Sequence, residues 1–128
     1  MEQNKHQVKM QTLAMEVYSY CKEKNLWEDC IIYFNGKAWK SDNDWCGVNG
    51  KEIGEDLYEF ENRNPLNYFE YANPDTVSMS FEGPLYEALN AWDLPYYDGY
   101  EEQLQDIFKK YGYYFEYGHA WNFSAYEL

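Results

Sequence analysis

A chain of 128 residues with a net charge of −13 and aromatic side chains at 21% of its length fits one domain able to bury its own core. The charge argues against anionic membranes and against direct nucleic-acid binding, because both reward Lys and Arg. No stretch approaches the roughly 20 apolar residues needed to span a bilayer, and the polar start lacks the apolar run of a signal peptide, so a cytoplasmic protein is expected.

Met10, Leu13, Ala14, Val17, Tyr18 and Cys21 recur at three- and four-residue spacing. They predict an amphipathic helix over about 7–24, with residues 1–7 flexible ahead of it. Residues 30–34 and 37–40 flank Asn35-Gly36, the dipeptide that best supplies the two positive φ angles of a type I′ turn, and predict a β-hairpin. Residues 41–54 are rich in Asp, Asn and Gly and read as turns, with a second tight turn at Val48-Asn49-Gly50-Lys51. Residues 56–61 alternate charge with Leu57, Tyr58 and Phe60 and suit either a helical turn or a strand. Residues 67–71 and 76–81 are aromatic and β-branched, and Ala72-Asn73-Pro74-Asp75 between them predicts a hairpin.

Pro84 suits the first turn of a helix running to about Trp92, followed by a loop over 93–99. A further helix is expected over 100–111. Its acids lie in the first turn, Lys109 and Lys110 in the last, and Gly112 at the stop, as the helix dipole and C-terminal geometry favour. Residues 113–117, Gly118-His119 and 120–126 predict a closing hairpin. The sum is an α+β fold over 1–128, an antiparallel sheet of two or three hairpins packed against about three helices.

Four kinds of site compete. Between Ser41 and Asp106 there are 16 Asp and Glu against only Lys51 and Arg63. Asp42, Asp44, Glu52, Glu55, Asp56, Glu59 and Glu61, then Asp93, Asp98, Glu101, Glu102 and Asp106, form a one-sided field suited to a basic partner. The simple alternative is a solvated acidic surface with no specific use. Trp45, Tyr96, Tyr97 and Tyr100 lie among those acids and suit interface anchors, or else cover the core.

Catalysis has little support. His119 stands apart from any nucleophile motif, and the neighbouring carboxylates of Glu55-Asp56 and Glu101-Glu102 diverge by roughly 100° on a helix. An acidic loop from Asp42 places Gly47 sixth as a calcium loop does, but puts Cys46 and Ile53 at two ligand positions. The cysteines Cys21, Cys30 and Cys46 lack metal-ligand spacing and read as reduced thiols. No metal, no cofactor and no enzymatic activity are therefore expected.

In size, charge, aromatic content and lack of enzymatic motifs the chain resembles the small acidic proteins carried by phages and mobile elements of low-GC bacteria, the anti-CRISPR and anti-restriction inhibitors among them. The segments Met79-Ser80-Phe81-Glu82-Gly83-Pro84-Leu85 and Tyr111-Gly112-Tyr113-Tyr114-Phe115-Glu116 add to the likeness. A lysine-dominated set of cations with abundant Asn and Tyr matches the usage of an AT-rich genome. The resemblance implies an acidic inhibitor of a basic nucleic-acid-handling enzyme in a bacterial host, with DNA mimicry against an RNA-guided nuclease such as Cas9 as one mode. It assigns no role to an individual residue. An immunity protein against a basic toxin nuclease would carry the same charge for the same reason, and a small enzyme or an adaptor is the remaining alternative.

Overall fold

Why the first helix forms is visible in its stripe: Met10, Leu13, Ala14, Val17, Tyr18 and Cys21 are all buried along α1, Lys5–Glu23. Each large side chain so buried contributes about 1.5–3 kcal/mol of transfer free energy. In this computed structural model, which describes residues 4–90 and 99–128, the helix starts earlier than the stripe suggests. The Asn4 side chain accepts from the His6 backbone N–H at 2.7 Å, and Lys5, His6 and Gln7 form the first turn of α1.

The strands are β1 (Cys30–Phe34), β2 (Lys37–Lys40), β3 (Lys51–Gly54), β4 (Leu57–Phe60), β5 (Ser78–Phe81), β6 (Tyr113–His119) and β7 (Asn122–Glu127). They form one antiparallel sheet in the order β3-β4-β2-β1-β5-β7-β6. Of three hairpins, β1–β2 and β3–β4 join directly through β2 and β4, and the lone strand β5, pairing with both β1 and β7, links them to β6–β7. Helices α2 (Pro84–Asn90) and α3 (Tyr100–Lys109) complete the α+β fold with α1. The helices and one sheet face enclose the main core, where Phe81, Phe108, Phe115 and Phe123 pack ring to ring.

Four expectations are corrected. Residues 41–54 end in strand β3, whose pairing with β4 also settles 56–61 as a strand. The hydrogen-bonded turn in that stretch joins Trp45 and Val48, not Val48 and Lys51. The hairpin of 67–71 with 76–81 is not formed: Pro65–Asn67 is a 3-10 turn, and β5 takes distant partners instead. The sheet offers β5 two ready edges, so local pairing loses. Finally, β6 continues through Gly118 to His119, and the turn falls at Ala120-Trp121. The expected extension of α2 to Trp92, and the loop as far as Asp98, lie outside the described residues.

The sheet's other face is crossed by the chain between β4 and β5. Asn73 fastens that crossing: its N–H donates to Ser124 Oγ at 3.1 Å and its Nδ2 to Ala125 O at 3.1 Å, while Thr76 Oγ1 donates to Ala125 O at 2.7 Å. Beneath lies a second, aromatic cluster around Tyr33, Ala38 and Phe69, with Trp45 and Trp121 packed on it.

Candidate functional site

Among the described residues, Glu55 and Asp56 lie on one flank of α1, and α3 with Glu101, Glu102 and Asp106 meets the other. Tyr18 and Lys22 are four apart and share one flank; Glu16 and Tyr20 share the other. On the first, Tyr18 Oη donates to Glu55 O at 2.5 Å, and Lys22 Nζ meets Asp56 at 2.7 Å and Glu55 at 3.3 Å. On the second, Tyr20 Oη donates to Gln103 of α3 at 2.5 Å, and Glu16 takes both Lys110 and the Tyr111 hydroxyl. Burial pushes the Tyr20 phenol up to about 12.

The first flank holds a crevice of about 500 Å³ lined by Lys22, Asn25, Trp27, Glu28, Asp29, Ser41, Asp42 and Asp56. The structure thus brings Asp42 and Asp56 together and adds Glu28 and Asp29. Those two were passed over because the sequence offered no reason to draw residues before β1 towards the loop after β2. Asp42 pairs with Lys40, while the Asp44 carboxylate accepts from the Gly47 N–H at 3.0 Å and Asn43 Oδ1 from the Gly50 N–H at 2.7 Å. The loop uses these oxygens on its own backbone. Glu52 and Glu61 are exposed.

Glu59 is withdrawn from the surface. Its side chain is 17% exposed, accepts from Trp39 Nε1 at 3.0 Å and meets Lys37 Nζ at 3.1 Å. Desolvation pulls its carboxyl upwards, but the Trp39 and Lys37 contacts outweigh that and hold it below the usual glutamate range.

On the second flank, Glu101, Glu102 and Asp106 of α3 line a surface depression of about 360 Å³ with Gln105 and Lys109. No ion pair engages these three carboxylates among the described residues. Of the expected anchors, Tyr100 packs against the main core and Trp45 joins the aromatic cluster, so both are partly covered. Asp93, Tyr96, Tyr97 and Asp98 lie outside the described residues.

Half of the ten cations are engaged within the chain. Lys22, Lys37, Lys40 and Lys110 are ion-paired within the chain. Arg63, the one arginine, lies 4.7 Å from the Trp45 ring centroid and 5.7 Å from that of Phe60, and its guanidinium donates to Glu61 O at 3.1 Å.

His119 stacks on Trp121 with ring centroids 5.4 Å apart and planes 12° apart, and its other ring neighbour is Tyr71 at 5.9 Å. That setting is a packing role for an exposed imidazole. Among the described residues no group of three or more His, Cys, Asp or Glu could hold a metal ion. No helix there is long and apolar enough to cross a membrane. Compared with protein families, with curated proteins and with solved structures, the chain matches none.

Proposed function

We propose that the protein is an acidic inhibitor that binds a basic nucleic-acid-handling enzyme and obstructs the surface that enzyme uses for its nucleic acid. The observation that supports this most directly is the internal use of the cations. With Lys22, Lys37, Lys40, Lys110 and Arg63 engaged inside the fold, Glu101, Glu102 and Asp106 line a surface depression with no ion pair among the described residues, three acids against the single Lys109. A surface of this kind attracts a basic groove over distances of about a Debye length and accelerates encounter. It presents carboxylates at only a few positions, which is all that a partner's Arg and Lys side chains need to find.

The chemistry is binding alone. The carboxylates accept hydrogen bonds from guanidinium and ammonium groups, and the bound protein excludes DNA or RNA from the same groove. An RNA-guided nuclease and a toxin nuclease both present such a groove.

A displacement assay tests the reading. A fluorescent duplex is bound to each of a panel of basic nucleases, including an RNA-guided nuclease and a bacterial toxin nuclease, and the protein is titrated in at low salt. Release of the duplex from one of them is expected. The triple substitution Glu101→Gln, Glu102→Gln, Asp106→Asn weakens that release by about 3- to 100-fold, at about 0.2–1 kcal/mol for each exposed pair lost. Duplex retained throughout, with nuclease activity unchanged, rejects the proposal.

A further inference from the structure

The face of the sheet away from the helices carries an unbroken run of touching rings. Phe60 meets Trp45 at 5.3 Å between centroids, Trp45 meets Tyr68 at 5.2 Å, and Tyr68 meets Tyr33 at 5.7 Å. Tyr33 then meets Phe69 at 5.6 Å, Phe69 meets Trp121 at 5.8 Å, and Trp121 stacks on His119. The run starts on β4 and ends at β6, so it crosses most of the sheet. Its middle is buried at Tyr33 and Phe69, whereas Tyr68 is 42% exposed and Tyr71, beside His119, is 59% exposed.

At the β4 end the ribbon already holds a guanidinium, that of Arg63. At the other end Trp121 walls a pocket of about 180 Å³ with Ile31, Ser80 and Phe81, and Asp29 and Glu82 line it too. The backbones of these two acids meet where β1 begins and β5 ends, the Glu82 N–H donating to Asp29 O at 3.2 Å. Lys40, the one cation lining the pocket among the described residues, is tied to Asp42.

We infer that the Trp121 pocket seats an arginine side chain of a protein partner, its guanidinium against the indole and paired with Asp29 and Glu82. The inference rests on the basic-partner reading above and names the residue type and the place. A flat ring beside two carboxylates matches a planar, five-donor guanidinium, which stacks and forms forked hydrogen bonds together; a lysine ammonium is a strongly hydrated point charge and uses only the carboxylates. The pocket shares Asp29 and Ser41 with the larger crevice that holds Glu28, Asp42 and Asp56. An extended segment anchored by its arginine therefore continues over further carboxylates, where its neighbouring basic residues lie.

The probes are an oligoarginine and an oligolysine peptide of equal length, titrated at low salt and followed by the Trp121 indole signal in NMR spectra and by calorimetry. Oligoarginine is expected to bind about 5-fold tighter than oligolysine and to shift the Trp121 indole. Trp121→Leu removes that preference, read by calorimetry, and Asp29→Asn with Glu82→Gln weakens the binding of both peptides. Asn is chosen because Asp29 sits at φ +60, a conformation that Asn tolerates. Tyr71→Ala, at an exposed ring, serves as a control that leaves the preference in place.

Equal affinity for the two peptides, a preference untouched by Trp121→Leu, or binding untouched by the Asp29 and Glu82 substitutions overturns the inference while the basic-partner reading stands. Failure of both peptides to bind the folded protein at low salt overturns the two together.

Discussion

Glu59→Gln separates a structural carboxylate from the interactive ones. The wild-type group accepts from Trp39 and pairs with Lys37, both less exposed than typical surface partners, with Lys37 at 20% and Glu59 at 17%. Gln keeps an acceptor for the indole but loses the charge. A hydrogen bond to a charged group contributes about 1.5–3 kcal/mol and an exposed ion pair about 0.2–1 kcal/mol. The partial exposure here puts the loss near 1 kcal/mol. For a chain of this size that lowers Tm by roughly 3–5 °C.

The pH dependence fixes the cause. The folded carboxyl titrates below its unfolded value, near 4.3, so its contribution is complete above that pH and is lost as pH falls through the folded value. Urea unfolding at pH 7 should show Glu59→Gln less stable than wild type, with the gap closing below about pH 4. An equal gap at both pH values, or none at pH 7, refutes the assignment. The substitution should also leave displacement of a nuclease-bound duplex unchanged.

Other outcomes follow from single contacts. Gly83→Ala places a Cβ 2.8 Å from the Glu28 carbonyl oxygen and 3.3 Å from Asp29, which should cost about 1–3 kcal/mol in chemical denaturation. Gln105 accepts from the Phe115 N–H at 3.0 Å and donates to its carbonyl at 2.9 Å, standing in for a neighbouring strand at the free edge of β6. Gln105→Leu should speed amide exchange at Phe115 well beyond any change at the central strands. Of the three cysteines, Cys46 alone should react with a thiol reagent at neutral pH, because burial pushes Cys21 up to about 12 and also raises Cys30. Prompt modification of a second thiol in the native protein contradicts this core.

What could be read in advance was local. The α1 stripe and the Asn35-Gly36 turn depend on neighbours within a few residues, and both stand where expected, with Asn35 and Gly36 at positive φ. The segment 67–71 has strand composition, yet Asn64 caps a 3-10 turn and the Asn73 contacts with Ser124 and Ala125 hold the chain across the sheet. That outcome turns on residues about 50 positions away. The site behaved likewise. An acidic surplus was plain, but that Lys37 and Trp39 would claim Glu59, or that Asp29 would meet Glu82, depends on strand order. The β6–β7 turn was misplaced because Gly118 serves close packing within the strand and not the turn. An added Cβ there would lie 2.6 Å from Asn122 Oδ1 and 3.1 Å from Tyr71, which passes over the strand.

The most direct test of binding by charge complementarity is retrieval of partners from bacterial lysate at low salt, with elution along a salt gradient and affinity then measured for the eluted protein across that range. The expected result is a basic nucleic-acid enzyme whose affinity falls steeply with salt and weakens when Glu101, Glu102 and Asp106 are neutralised. A tight partner whose affinity is indifferent both to salt and to those substitutions contradicts it.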